Sequence, residues 1–266
     1  MSGRRSLRPA RPRRRVSIVG ILGELLITGG VVVLLFIGWQ LWLYDSIVGD
    51  GLKEEAAEQS RLWDEQAAQN PIPTPTPDPA DPNAPADGEP PVLAAPVKTE
   101  NFGMLIVPRW GADYYRPIAE GVGVYDVLNK GLLGHYPGTQ MPGEVGNFAI
   151  AAHRTTKGGS LHHIHELQIG DHIYVETAYG WYQYTFRNLE YVRPTGVGVL
   201  NPVPQDTATP PSERYITLTS CNPILTSVER IIAYGVYDGF FPRDPSKPAS
   251  GAPEEIAPTA TGTVES

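Results

Sequence analysis

The hydrophobic pattern divides the chain into zones of different character. From Val16 to Tyr44 it is apolar for 29 residues, with Glu24 as the one carboxylate. About 20 apolar residues cross a bilayer core, so the pattern predicts a transmembrane anchor over 16–44. Trp39, Trp42 and Tyr44 gather at its far end, where aromatic rings favour the headgroup level. A cleavable signal peptide would have a shorter apolar region followed by a small-residue site, and neither is present. Glu24 reads either as a side chain snorkelling at the cytoplasmic interface or as a contact to another membrane helix.

The pattern then reverses. Residues 45–70 are polar and acidic, rich in helix formers, with Leu62 and Trp63 as the late large apolar residues. They predict a solvated helical stalk. Pro71 to Pro96 holds ten prolines and almost no large apolar residues, so it cannot form a core and predicts an extended spacer. At about 3.1 Å per residue it would reach roughly 80 Å. Residues 45–99 thus form an acidic stalk and Pro-rich linker, and 242–266, again rich in Pro, Ala, Gly, Ser and Thr, predict a disordered tail.

Between these lies one domain of ordinary size, 100–241. Short β-branched or alternating runs recur there: FGMLIVP, NFAIAAH, DHIYVET, WYQYTFRNLEYV, RYITLTSC and RIIAYGVY. Gly, Pro and Asn punctuate them. Many short strands predict a mostly β barrel or sandwich. EGVGVYDVLNKG and LHHIHEL read as short helices.

Charge sharpens the picture. The chain has 21 basic and 29 acidic residues, but seven arginines lie in the first fifteen positions. This basic tail, 1–15, belongs on the cytoplasmic side, which places everything after Tyr44 outside the membrane. The remaining chain carries 14 basic and 29 acidic residues. So acidic a globular part argues against nucleic-acid binding.

An exported chain with a single cysteine, Cys221, cannot form an internal disulfide. The thiol could be a buried hydrophobe, half of an intermolecular link, or a nucleophile. Strand parity separates these. Ile216 and Leu218 share one face; Tyr215, Thr217, Thr219 and Cys221 share the other, which would face a cleft or solvent. A nucleophilic cysteine usually needs an imidazole nearby. His153 ends the run NFAIAAH and enters a polar, glycine-bearing loop. His162, His163 and His165 lack a convincing acid or cysteine to complete a metal site. His172 reads as exposed on a strand, and His135, in GHYPGT, as part of a turn that could line a site. Arg230 stands nine residues after Cys221 and starts the next strand, so both ends reach one rim of a sheet. A guanidinium there can hold oxyanion charge.

These residues resemble the sortases, cysteine transpeptidases of Gram-positive cell surfaces. TLTSC, Thr217 to Cys221, is similar to their TLxTC signature, with Ser220 where Thr is usual. HYPGTQMPGEVGNFAIAAHRTT, TLTSCNPILTSVER and the anchor-then-linker layout look most like class E. The resemblance implies an eight-stranded sortase-type β-barrel with short helices. It implies Cys221 as nucleophile, His153 as general acid and base, and Arg230 as the oxyanion or substrate-positioning group. Tyr136, Thr219 and Ser220 become candidates for substrate binding, Tyr136 reading the alanine of an LAxTG-type signal. The implied partners are secreted proteins with a C-terminal LAxTG or LPxTG sorting signal, a peptidoglycan precursor amine and membrane lipid; no cofactor is implied. Two rivals remain. In an L,D-transpeptidase the arginine follows the cysteine almost directly, whereas here Asn222 and Pro223 follow. A non-enzymatic β binding module would leave Cys221 an inert thiol.

Overall fold

The computed structural model describes residues 17–39, 44–70 and 88–260. The basic tail, most of the Pro-rich spacer and the last six residues lie outside the described residues. The chain divides into two units at Gln40/Leu41.

In the first unit, α1 (Ile18–Gly38) is capped by Ser17, whose hydroxyl accepts from the Gly20 amide at 3.4 Å. It is long and apolar enough to cross a membrane.

In the second unit, eight strands close into a barrel: β1 (Asn101–Ile106), β2 (Tyr115–Glu120), β3 (Leu133–His135), β4 (Gly146–Ala151), β5 (His172–Thr177), β6 (Gly180–Val192), β7 (Arg214–Asn222) and β8 (Glu229–Pro242). Their order around the barrel is β1-β2-β3-β4-β7-β8-β6-β5. Six of them match the runs seen in the sequence. The two without a sequence signal are β2, interrupted by Pro117, and β3, three residues long and containing Gly134. Pro117 stands where β2 pairs with β1 alone, since β3 begins its pairing at Ile118. Proline is tolerated at such an edge. The two predicted short helices reduce to single 3-10 turns, Leu128–Lys130 and Ile164–Glu166.

Alternation fills the interior. Ile216 and Leu218 of β7, Phe148 and Ile150 of β4, and Ile231 and Ala233 of β8 are buried in one central cluster. Other strands are buried on both faces. In β1, Leu105 points inward while Met104 and Ile106 join a second cluster outside the barrel. That outer cluster exists because α2 (Tyr44–Gln69) lies on the wall.

The stalk reading is corrected here. The segment is helical, but one stripe of it, Gly49, Leu52, Ala56, Ser60, Trp63 and Ala67, is buried. The spacing of three and four residues keeps these on one helix face. Three of the six are Gly or Ala, so the stripe carries little hydrophobic signal although it seats the helix closely. The predicted disordered tail is corrected as well. Residues through Ala260 form short turns against the barrel, with Ile256 fully buried in the outer cluster. The Glu255 carboxylate accepts from Tyr174 at 2.6 Å and pairs with His172 Nδ1 at 2.7 Å.

A buried ionic cluster locks these parts together. Arg243, just past β8, pairs with Glu176 of β5 and Asp64 of α2. Ser60 and Tyr115 donate to the same Glu176 carboxylate. The guanidinium lies 4.6 Å from the Trp181 ring and 5.6 Å from that of Trp63, within reach of cation–π attraction. Breaking such a buried pair leaves an uncompensated charge, which costs about 3–5 kcal/mol. Arg243→Met is therefore expected to destabilise the protein by about that amount in denaturant unfolding. Adding Glu176→Gln should recover part of the loss; a double variant less stable than the single one contradicts this account.

Candidate active site

Three neighbouring strands bring the candidate residues together. β4 and β7 run parallel, with Phe148 opposite Ile216 and Ala151 opposite Thr219. The pairing continues past β4: the Ala152 amide donates to Thr219 O at 3.2 Å, and the Ser220 hydroxyl donates to Ala152 O at 2.8 Å. Continuing that register by one residue sets His153 beside Cys221. On the other side, antiparallel β8 places Arg230 directly opposite Cys221. Residues opposite each other have Cβ atoms about 5 Å apart on one face. Cys221 and Arg230, on paired strands, and His153, on the segment leaving β4, thus form a row at one end of the barrel, each partly exposed.

The Cys221 thiol is free and half-buried. Its parity with Thr217 and Thr219 holds, but that face is not simply open. Thr217 and Thr219 are buried. Thr217 donates to Asn147 Oδ1 at 2.7 Å, and Asn147 Nδ2 donates to Val199 O at 2.9 Å and Asn201 O at 3.0 Å. The long β6–β7 connection is tied down over the lower part of the strand, and exposure returns only at Cys221.

His153 has a partner that the sequence reading missed. Its Nε2 lies 2.9 Å from Asn129 Oδ1. An amide oxygen only accepts, so Nε2 carries the proton in this arrangement and Nδ1 keeps its lone pair. Burial, and then the nearby Lys157 charge, hold the His153 pKa below the usual imidazole value. The ring is therefore neutral at pH 7 and able to accept a proton. The signal in sequence was faint: one asparagine in VLNKG, a turn that closes on Gly131 with φ +85°.

Arg230 Nη1 donates to the Ser227 carbonyl at 3.1 Å and to the Glu229 carbonyl at 3.0 Å. Both belong to the exposed β7–β8 loop or its edge, and both are neutral acceptors that an anion can displace. A second row runs on the opposite face. Arg154 donates to Asn222 Oδ1, and Asn222 Nδ2 donates to Glu229 Oε2 at 3.1 Å. It ties the β4–β5 connection, β7 and β8 one residue beyond the first row.

The substrate-binding candidates separate. Tyr136 OH and Thr219 Oγ1 lie 3.0 Å apart, beside the row. Ser220 does not join them: it is 3% exposed and faces inward, where its hydroxyl holds the exit of β4. His135 is not in a turn but in β3, 2% exposed, with Nδ1 2.6 Å from Glu120 Oε2 and its ring stacked on Phe148. His162 faces the Arg154 carbonyl, and His163 pairs with Glu166 at 2.7 Å. His172, one-third exposed, pairs with Glu255 away from the row.

With this geometry in place, comparison with known proteins becomes decisive. The family described as Sortase domain matches residues 105–238, about half of the chain. The chain belongs to the sortase family. It is most like class E members: it is 34% identical to Sortase SrtE1 of Streptomyces coelicolor over 93% of this chain, spanning 65% of that relative's length. Among solved structures, the SrtA sortase from Actinomyces oris is 41% identical with a TM-score of 0.58, covering 63% of this chain and 93% of that one. Sortase E1 from Streptomyces coelicolor with tripeptide in the active site is 38% identical with a TM-score of 0.52, covering 56% of this chain and 94% of that one. The eight-stranded barrel is thus the sortase fold.

The depressed His153 pKa can be tested apart from the thiol. In Cys221→Ala, the His153 ring protons followed by NMR should titrate with a midpoint below about 6.5, the ordinary imidazole value. Lys157→Ala should move that midpoint upward. A midpoint at or above the ordinary value contradicts the site as described.

Proposed function

We propose that this sortase is a membrane-anchored transpeptidase that cleaves a C-terminal sorting signal between Thr and Gly and joins the released carbonyl to a cell-wall amine. The observation that carries the reading is that Arg230 of β8 stands directly opposite Cys221 of β7, while the segment carrying His153 leaves β4 alongside the same end of β7.

The steps follow from the side chains. Cys221 Sγ attacks the threonine carbonyl carbon as His153 Nδ1 takes the thiol proton. Arg230 turns from the Ser227 and Glu229 carbonyls to the developing oxyanion. The C–N bond then breaks, and His153 returns its proton to the departing glycine amine. A thioester on Cys221 remains. The acceptor amine attacks that carbon and gives its proton to His153, and the thiol leaves with the proton restored. Asn129 keeps the ring in the tautomer that presents Nδ1 throughout.

Tyr136 and Thr219 flank the row, and we assign them to the residue preceding the variable position of the signal. A phenol hydroxyl held by Thr219 leaves room there for a small side chain, which favours LAxTG over LPxTG. The β6–β7 connection walls the groove on one side. The tripeptide in the active site of the Streptomyces coelicolor relative supports a peptide substrate. We assign the anchor to α1, which is long and apolar enough to span a membrane, with the seven N-terminal arginines cytoplasmic and the barrel outside. A membrane-tethered enzyme meets membrane-tethered clients and a lipid-linked amine at raised effective concentration.

Fluorogenic LAxTG and LPxTG peptides test the reading. The enzyme should cut between Thr and Gly and prefer LAxTG. Cys221→Ala and His153→Ala should each lower kcat by roughly 10³-fold or more. Retention of cleavage in either variant would overturn these assignments.

A further inference from the structure

We infer that helix α2 is part of the catalytic apparatus: Leu52, with Val48, braces the two loops that carry Asn129 and His153. This rests on the reading of His153 as the proton-transfer group and Asn129 as its orienting partner.

The two loops lie outside the barrel ladder. His153 opens the β4–β5 connection, and Asn129 sits in the 3-10 turn Leu128–Lys130. Strand pairing therefore does not fix the hydrogen bond between them, and packing must. The packing comes from α2. Leu52 is buried in a small cluster with Ala119, Val127 and Leu132, against which Val48 and Leu128 also pack. This cluster brackets Asn129 from both sides in sequence.

Two glycines show how close the helix comes. Gly131 closes the Asn129 turn; a Cβ there would lie 2.7 Å from Leu52 Cδ1 and 2.7 Å from the Lys157 carbonyl. Gly158 follows His153 by five residues; a Cβ there would lie 3.1 Å from Val48 Cγ1 and 3.5 Å from Leu52 Cδ1. One leucine therefore abuts both loops at points where a methyl group would not fit or would only just touch. The loops are joined to each other at the same place. Ser160 donates to Gly131 O at 2.6 Å, and Tyr114 donates to Ser160 O at 2.5 Å. Force on Leu52 passes through a few packed atoms to the Asn129–His153 hydrogen bond.

The helix is also held independently at its other end. Ser60, Trp63 and Asp64 join the Arg243–Glu176 cluster, two to three turns beyond Leu52. Trimming Leu52 thus removes the brace without removing the helix. The α2 helix begins six residues after α1 ends, so the segment that follows the anchor touches the catalytic loops directly.

The test is a double-mutant cycle in the full-length enzyme, read on the sorting peptide. Asn129→Ala should lower kcat, and Leu52→Ala should lower kcat about 10-fold with KM nearly unchanged, as expected when a reacting group is slightly misplaced. The exposed Leu62→Ala serves as the control and should leave both constants alone. Leu52→Ala and Asn129→Ala together should lower kcat no further than Asn129→Ala alone, because residues acting through one contact are not additive. The alkylation rate of Cys221 against pH should shift in the same direction in both single variants. If Leu52→Ala fails to fold, Leu52→Val, which removes one methylene, should show a smaller loss with the same non-additivity. Full additivity, or an unchanged kcat in a folded Leu52 variant, overturns the brace. Undiminished cleavage by His153→Ala instead overturns the reading on which it rests.

Discussion

The site depends on one constraint, the parallel pairing of β4 with β7. Parallel strands cannot be joined by a tight hairpin, so β7 returns to β4 only after the chain has built β5 and β6. The register that results, Ala151 against Thr219, is what directs the segment that leaves β4, with His153 two residues on, toward the Cys221 end of β7. A slip of one residue would turn Cys221 into the barrel and expose Leu218. The register is protected on both faces. Ile216 and Leu218 are fully buried inside, and outside Thr217 is tied through Asn147 to the β6–β7 connection. Ser220 closes the pair at its end by bonding Ala152 O. A serine hydroxyl suffices for that bond.

The rest of the molecule supplies rigidity around that pair. The barrel wall formed by β1, β5 and β6 is covered by α2 and by the turns after β8, and the Arg243–Glu176–Asp64 cluster pins all three layers. A buried ionic cluster is a weak source of net stability but a demanding geometric requirement. It fixes where the helix lies, and hence where Leu52 and Val48 meet the loops that hold His153.

Much of this was legible in the sequence, and what was not has physical causes. Six strands announced themselves because alternation or continuous apolar runs mark them. The strands β2 and β3 did not, since one contains Pro117 and the other is three residues long. Cys221 and Arg230 were legible because their relation is set by counting along a hairpin-like connection. Asn129 was not, because its contact with His153 depends on how two loops fold back over α2. The stripe on α2 was hidden by composition: Gly49, Ala56, Ser60 and Ala67 are small and carry little hydrophobic signal, yet smallness is what lets the helix approach. The tail misled for the same reason, as only Ile256 stands out in a Pro- and Ala-rich stretch. Ser220 became a substrate-binding candidate through its position in a motif; the parity of β7 turns it inward with Ile216 and Leu218.

The central claim is that strand register delivers Cys221 to a peptide carbonyl beside His153. Acid quenching during turnover of a sorting-signal peptide, followed by peptide mapping in a mass spectrometer, tests this most directly. The account gives a mass increase on the peptide containing Cys221 equal to the signal up to and including its threonine. That adduct should be released by a primary amine and should be absent in Cys221→Ala. Turnover with no acyl adduct on Cys221, or an adduct that an amine cannot discharge, would contradict it.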